Sequence, residues 1–196
     1  ENDAKVAQIV ATLDQDTLPT TLAGFNSVLP SLLAIQEIDP ENAVLAAYTE
    51  AVQNFTPTAV NQLIANKEWE QANEFLSEYG ILLNADLIIA QQQKLTDEKA
   101  VYDARVSRAL EEFEHSITNA TTEEELANSA RLLEQLSNLS SRQDHSLLYA
   151  QNRMAFSYIQ LARKGRGSVN QGQTSSLLER ANRASPWGAM AQALEF

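Results

Sequence analysis

No cysteine occurs in the chain, so disulfides, thiolate metal sites and a cysteine nucleophile are all excluded. The same absence says little about compartment, although it would suit an oxidising one, and an extracytoplasmic, periplasmic location stays open. Glycine and proline are scarce, at 6 and 5 among 196 residues, which argues against disorder and low complexity. No apolar run is long enough to cross a membrane, because Asn84 and Asp86 interrupt the best stretch, residues 81–90. Positive charge is also in short supply, with 14 Lys and Arg against 26 Asp and Glu and a net charge of −12. Phosphate binding needs a cationic face, so a nucleic-acid partner is not expected. Histidine occurs only at His115 and His145, which leaves little choice of catalytic base, and no G-x-S-x-G motif is present. An enzyme is therefore not expected.

What is present favours helix. Ala, Leu, Glu and Gln dominate and β-branched runs are few. The charge is unevenly placed: residues 1–98 hold 15 acids and 3 bases, whereas residues 99–196 hold 11 of each. Within the second half Arg142, Arg153, Arg163, Lys164, Arg166, Arg180 and Arg183 outnumber Asp144 and Glu179. A local basic face there would meet an acidic partner, or the acidic half of another copy.

The chain is organised around residues 56–84. Thr56 followed by Pro57 reads as an N-cap and first helical residue. Val60, Leu63 and Ile64 then share one side of a short helix. After a polar turn at Asn66 and Lys67, a second helix carries Trp69, Ala72, Leu76 and Tyr79 at steps of three and four. The small Ala72 allows close approach, and two such short helices need neighbours to bury enough surface.

Residues 66–72 (NKEWEQA), with Leu76 and Tyr79, resemble the turn and second helix of a tetratricopeptide repeat. In that family a small residue opens the second helix, large residues follow four and seven positions on, and a proline often closes the repeat at the place Asn84 holds here. Leu32, Ile35 and Pro40 carry a fragment of the same pattern, as do Leu178, Ala181 and Pro186. The long middle of the chain does not match it. The resemblance implies a binding surface made of helices rather than an active site.

In chain order, residues 3–13 form an amphipathic helix with Val6, Ile9, Val10 and Leu13 on one face. A second helix starts at Thr17-Leu18-Pro19, with Leu22, Phe25 and Val28 inward, and Pro30 either breaks it or begins the next. Asp39 as N-cap and Pro40 as first residue start a helix that ends near Phe55. A long helix covers residues 86–118, with Leu95, Tyr102, Val106, Ala109, Phe113 and Ile117 along one seam. Thr121 and Glu124 form a capping box for a helix to Leu139 that pairs with the long one. A helix over 144–164 buries Leu148, Met154, Ala155, Tyr158 and Leu161. The glycine-containing stretch 165–173 is a loop, and helices over 174–184 and 186–194 follow, with Trp187, Met190 and Leu194 capping the stack.

Chemical motifs are few. Glu112 and His115 have the E-x-x-H spacing of di-iron bundles, but no second copy accompanies them, so no metal is expected. Gly165, Gly167 and Gly172 fit neither nucleotide-binding spacing, and no cofactor is expected. Three N-x-[ST] sites begin at Asn54, Asn119 and Asn138, each at an anticipated helix junction where capping explains it. Trp69, Tyr79, Tyr102, Tyr149, Tyr158 and Trp187 are groove candidates whose helical spacing favours the core.

The expected fold is all-α: antiparallel hairpins stacked as a tetratricopeptide-like array, with a short-helix part over residues 1–84 and a long hairpin with a closing pair over 85–196, in one continuous domain. The expected role is a non-enzymatic scaffold for a protein or peptide partner. With its non-methionine start, the chain is expected to be an excised module of a larger protein, for which a bacterial signalling or envelope protein is one candidate. Glu50, Glu70, Glu74, Arg153, Arg163 and Arg166 are the candidate partner-binding residues. A helical domain sensing a small molecule is the alternative, and an oligomerising spacer using the 95–117 seam is the third reading.

Overall fold

The computed structural model describes residues 2–13, 17–140, 145–165 and 171–185. Among them the chain is all-α, with eight α-helices, one 3-10 turn and no strand. The chain divides into two compact units, Glu1–Ala100 and Val101–Phe196. That division falls inside the long helix, not at residue 84. Asn84 instead starts that helix, its Oδ1 accepting from the Leu87 N–H at 2.7 Å.

The first unit contains α1 (Asn2–Val10), α2 (Leu22–Ile38), α3 (Ala43–Ala65), α4 (Trp69–Glu78), a 3-10 turn (Gly80–Leu82) and the start of α5 (Ala85–Asn119). Helix α2 begins four residues later than Thr17 suggested. Thr21 is its N-cap, in extended backbone, with its side chain accepting from the Gly24 N–H. A Cβ at Gly24 would lie 3.1 Å from the Pro19 Cβ and 3.2 Å from the capping oxygen, so this entry turn requires glycine. Pro30 neither breaks nor starts a helix but lies inside α2. Asn26, whose carbonyl loses its partner to Pro30, is exposed like Pro30 itself, so water can take the missing donor's place.

Asp39 and Pro40 do not cap α3. Asp39 ends α2, and Asn42 is the cap of α3, its Oδ1 accepting from the Val44 N–H at 3.0 Å. The two roles are tied together, since the Asn42 side-chain amide donates to Asp39 Oδ2 at 3.0 Å.

The larger correction concerns Thr56 and Pro57. They open no helix; both lie within the 23 residues of α3. Thr56 is buried, and its hydroxyl donates back to the Val52 carbonyl at 2.8 Å, the mid-helix use of threonine and not the cap. An interior proline costs about 3 kcal/mol. The buried stripe Leu45, Tyr48, Val52, Thr56, Ala59, Val60 and Leu63 continues across it, and the area buried by that stripe keeps the helix whole. The anticipated turn is present, with Lys67 in the left-handed region at φ 64. Helix α4 then buries Ala72, Phe75 and Leu76 against the core, joined by Tyr79.

Aromatic rings fill this core. Phe25 of α2 stacks on Phe55 of α3 with centroids 4.9 Å apart, and Phe75 lies 4.7 Å from Tyr79. The Tyr79 hydroxyl donates to Asn26 Oδ1 at 2.7 Å.

The second unit contains the remainder of α5, then α6 (Glu123–Leu139), α7 (His145–Gly165) and α8 (Gln171–Ala184). Val106, Phe113 and Ile117 of α5 are buried with Leu126 and Leu136 of α6. Ser116 and Ser129 share a hydrogen bond of 2.8 Å between these two helices. The capping box sits one residue later than Thr121 and Glu124: Thr122 accepts from the Glu125 N–H, and the Glu125 carboxylate accepts from the Thr122 N–H at 3.0 Å. The same carboxylate also takes the Thr121 N–H at 2.6 Å, which explains the shift, because only the later register satisfies both amides.

On α7 the buried residues are Leu147, Ala150, Met154, Ala155, Tyr158, Ile159 and Ala162. Leu148 is not buried, contrary to expectation. The small residues Ala150, Ala155 and Ala162 of α7 and Ala181 of α8 are buried in this core. Helix α8 begins at Gln171, so Gly172 belongs to it and not to a preceding loop. The anticipated helix over 186–194, with Trp187, Met190 and Leu194, lies outside the described residues.

Candidate functional site

Glu50 of α3 and Glu70 and Glu74 of α4 are all exposed, the latter two one helical turn apart. They belong to the strongly acidic first unit. Among the aromatic candidates, Tyr79 and Tyr158 are core residues, Trp69 and Tyr102 are half-buried, and Tyr149 is exposed. Trp187 lies outside the described residues, as does Arg166.

The basic candidates that are described converge on α7. Arg153 is half-buried and Arg163 exposed. They accompany three large apolar residues on the outward side of that helix: Leu148, Tyr149 and Phe156, at 44%, 46% and 39% exposure. The spacing 149, 153, 156, 160, 163 follows one helical face, so apolar and cationic groups alternate along it. Sequence reasoning placed Leu148 in the core and left Phe156 out. The signal was there, because α7 has more apolar residues than one face can bury and Leu147 competes with Leu148 for the same core. Elsewhere in this unit Arg108 pairs with Glu112, Arg180 with Glu123 at 2.8 Å, and Arg183 with Glu179.

Clefts open among the described residues of the second unit. Two are shallow grooves of about 690 and 480 Å³ between α5 and α6, which meet at Glu112. The first contains the E-x-x-H pair. There, Arg108 pairs with Glu112 at 3.2 Å, His115 is exposed, and no group of three metal-ligating side chains occurs among the described residues. A third cleft, of about 190 Å³, lies between the carboxyl end of α5, the α5–α6 turn and the second half of α7. Arg153 lines it, and the buried Arg153 Nε has no hydrogen-bond partner among the described residues. Leaving a buried donor without an acceptor costs about 1–3 kcal/mol.

Ionisation is perturbed mainly in structural positions. Burial, with a contribution from Glu78, pushes the Tyr79 hydroxyl up to about 12. Burial also raises Tyr158, against the pull of the neighbouring Arg180. The Glu125 carboxyl is lowered by the backbone N–H groups of Thr121 and then Thr122. Of the three N-x-[ST] sites, Asn119 and Asn138 fall near helix ends, whereas Asn54 is mid-helix in α3, so capping does not account for it.

Fold and surface together define an all-helical chain with an acidic first unit and a second unit that carries the clefts and the mixed face of α7. No family model, curated protein or solved structure matches it. Among the described residues no helix is long and apolar enough to cross a membrane.

Proposed function

We propose that the chain is a non-enzymatic helical scaffold for protein–protein recognition, with a tetratricopeptide-like pair at α3 and α4. The observation that carries this reading is the outward face of α7, where Leu148, Tyr149 and Phe156 stand exposed beside Arg153 and Arg163. Tyrosine, phenylalanine and arginine are the residues enriched where protein surfaces meet. The cationic groups select a partner segment that is acidic and carries apolar anchors. The exposed Glu50, Glu70 and Glu74 give the first unit the opposite preference, for a basic segment.

The test is capture from a lysate of the source cell with the whole chain as bait, beside the double substitution Leu148→Ser and Tyr149→Ser. Both residues are exposed, so helicity and melting temperature are expected to hold while the recovered protein is lost, and recovery is expected to weaken with salt. Equal recovery by the folded variant would remove α7 from the proposal.

A second reading, a helical domain sensing a small molecule, is favoured by the clefts of the second unit. The spacer reading has less support: Leu95, Val106, Phe113 and Ile117 of its seam are buried within the chain's own cores, and Val101 is the large apolar residue left exposed there.

A further inference from the structure

The cleft of about 190 Å³ beside α7 is lined, among the described residues, by two cations, Arg153 and Lys164, and by no aspartate or glutamate. In a chain of net charge −12 such a composition is unusual. Of the three acids in the first turn of α6, Glu123 pairs with Arg180 at 2.8 Å, the Glu125 carboxylate is held by Thr121 and Thr122, and Glu124 is exposed. Ser157 and Gln160 add polar groups to the wall. Phe156 and Leu161 of α7 itself, with Ile117 and Leu126 across from that helix, give the lining its apolar part.

The guanidinium is the informative group. Its Nε is buried and donates to nothing among the described residues, although buried donors are almost always satisfied. The cleft holds the volume of about six waters, too little for a large ligand and enough for a small organic one. Arginine presents a planar fork matched to carboxylate, and a second cation at the rim adds attraction without fixing geometry.

We propose that this cleft binds a small monocarboxylate with a compact apolar body. The carboxylate accepts from the Arg153 guanidinium, Lys164 stands at the rim, and the body lies against Phe156 and Leu161. Inorganic phosphate fits less well, because it has no apolar part to cover that wall. The site shares Arg153 and Phe156 with the recognition face of α7 but does not depend on any protein partner, since Leu148 and Tyr149 do not line it.

Titration calorimetry of the full chain with benzoate, acetate and inorganic phosphate tests the assignment. Saturable binding of one benzoate is expected, with acetate weaker and phosphate weakest. Arg153→Gln is expected to weaken benzoate by roughly 10-fold or more, the loss of one charge-assisted hydrogen bond. Lys164→Gln, on an exposed side chain that the fold does not need, is expected to weaken it by roughly 2- to 5-fold. It keeps the test decisive if the Arg153 variant fails to fold. Leu148→Ser with Tyr149→Ser is expected to leave benzoate binding unchanged, which separates this site from the recognition face. Absence of saturable benzoate binding, tighter binding of phosphate, or equal affinity in the folded Arg153→Gln and Lys164→Gln variants would overturn the proposal.

Discussion

The two units are both helical, yet they are held together by different chemistry. The first is packed with large rings: Phe25 on Phe55, Phe75 beside Tyr79, and the buried Tyr48. The second buries four alanines, Ala150, Ala155, Ala162 and Ala181, among its larger side chains, so its contact is spread over many small groups. Charge differs as well. Most of the acidic excess lies in the first unit, whereas the second has nearly balanced charge and ties its helices with pairs such as Arg180 and Glu123. An α-helical core can thus be closed by a few bulky side chains or by many small ones, and the two are expected to fail differently. A ring removed from the first leaves one large void, whereas a methyl added to the second forces helices apart.

The largest expected effect comes from emptying each core in turn. Phe25→Ala and Phe113→Ala should each cost about 3–5 kcal/mol. Hydrogen exchange should show α2 and α3 loosened by the first and α6 and α7 by the second. If both substitutions loosen all four helices equally, the division into two separately packed cores is wrong.

Alkaline pH should strain the first unit. Because the Tyr79 hydroxyl is raised to about 12 in the folded chain, its contribution to stability is complete below the ordinary tyrosine value near 10. It is lost as pH rises from there through about 12. Tyr79→Phe removes that dependence and also the hydrogen bond to Asn26, at a cost of about 0.5–1.5 kcal/mol near neutral pH. Denaturant melts at pH 7 and pH 11 check both signs, and an unchanged alkaline slope in the variant would count against Tyr79 as its source.

Helix entry offers a more even comparison. Asn84→Ala removes the cap of α5, and Thr122→Ala removes the capping box of α6, each for about 1 kcal/mol. Far-UV circular dichroism with thermal melting measures both. A null effect at Asn84 would show that α5 is held by packing alone. The Glu125 carboxyl adds an acid-side signature: its lowered value supplies stability above the ordinary glutamate range, lost as pH falls through the folded value.

The smallest expected change is a gain. Lys67 occupies the left-handed region, so Lys67→Gly should stabilise the α3–α4 turn by up to about 1 kcal/mol, read as a higher melting temperature.

Much of the candidate surface was legible residue by residue but not in combination. Arg153 stands out in the sequence as one of several bases in the neutral half. Nothing in the sequence distinguishes it from Arg180, which the fold pairs with Glu123, because pairing depends on residues 57 positions apart being brought together by α6 and α8. The apolar side of α7 was read with the wrong leucine inward, since Leu147 and Leu148 are neighbours and only the helix's rotation against α6 and α8 chooses between them.

By itself the sequence determined the all-α class, the near-complete extent of α5, the α3–α4 turn and the absence of thiol chemistry. Each follows from local preference: propensity, a stripe repeating at helical spacing, turn residues, or composition. The tertiary structure decided that Pro30 and Pro57 lie inside helices, that Asn42 and not Asp39 begins α3, and that Arg153 lines a cleft with its Nε unpartnered among the described residues. A proline's local cost of about 3 kcal/mol is a strong signal along the chain. Burying an apolar stripe several turns long against distant helices outweighs it, and that gain is settled only when those helices are in place.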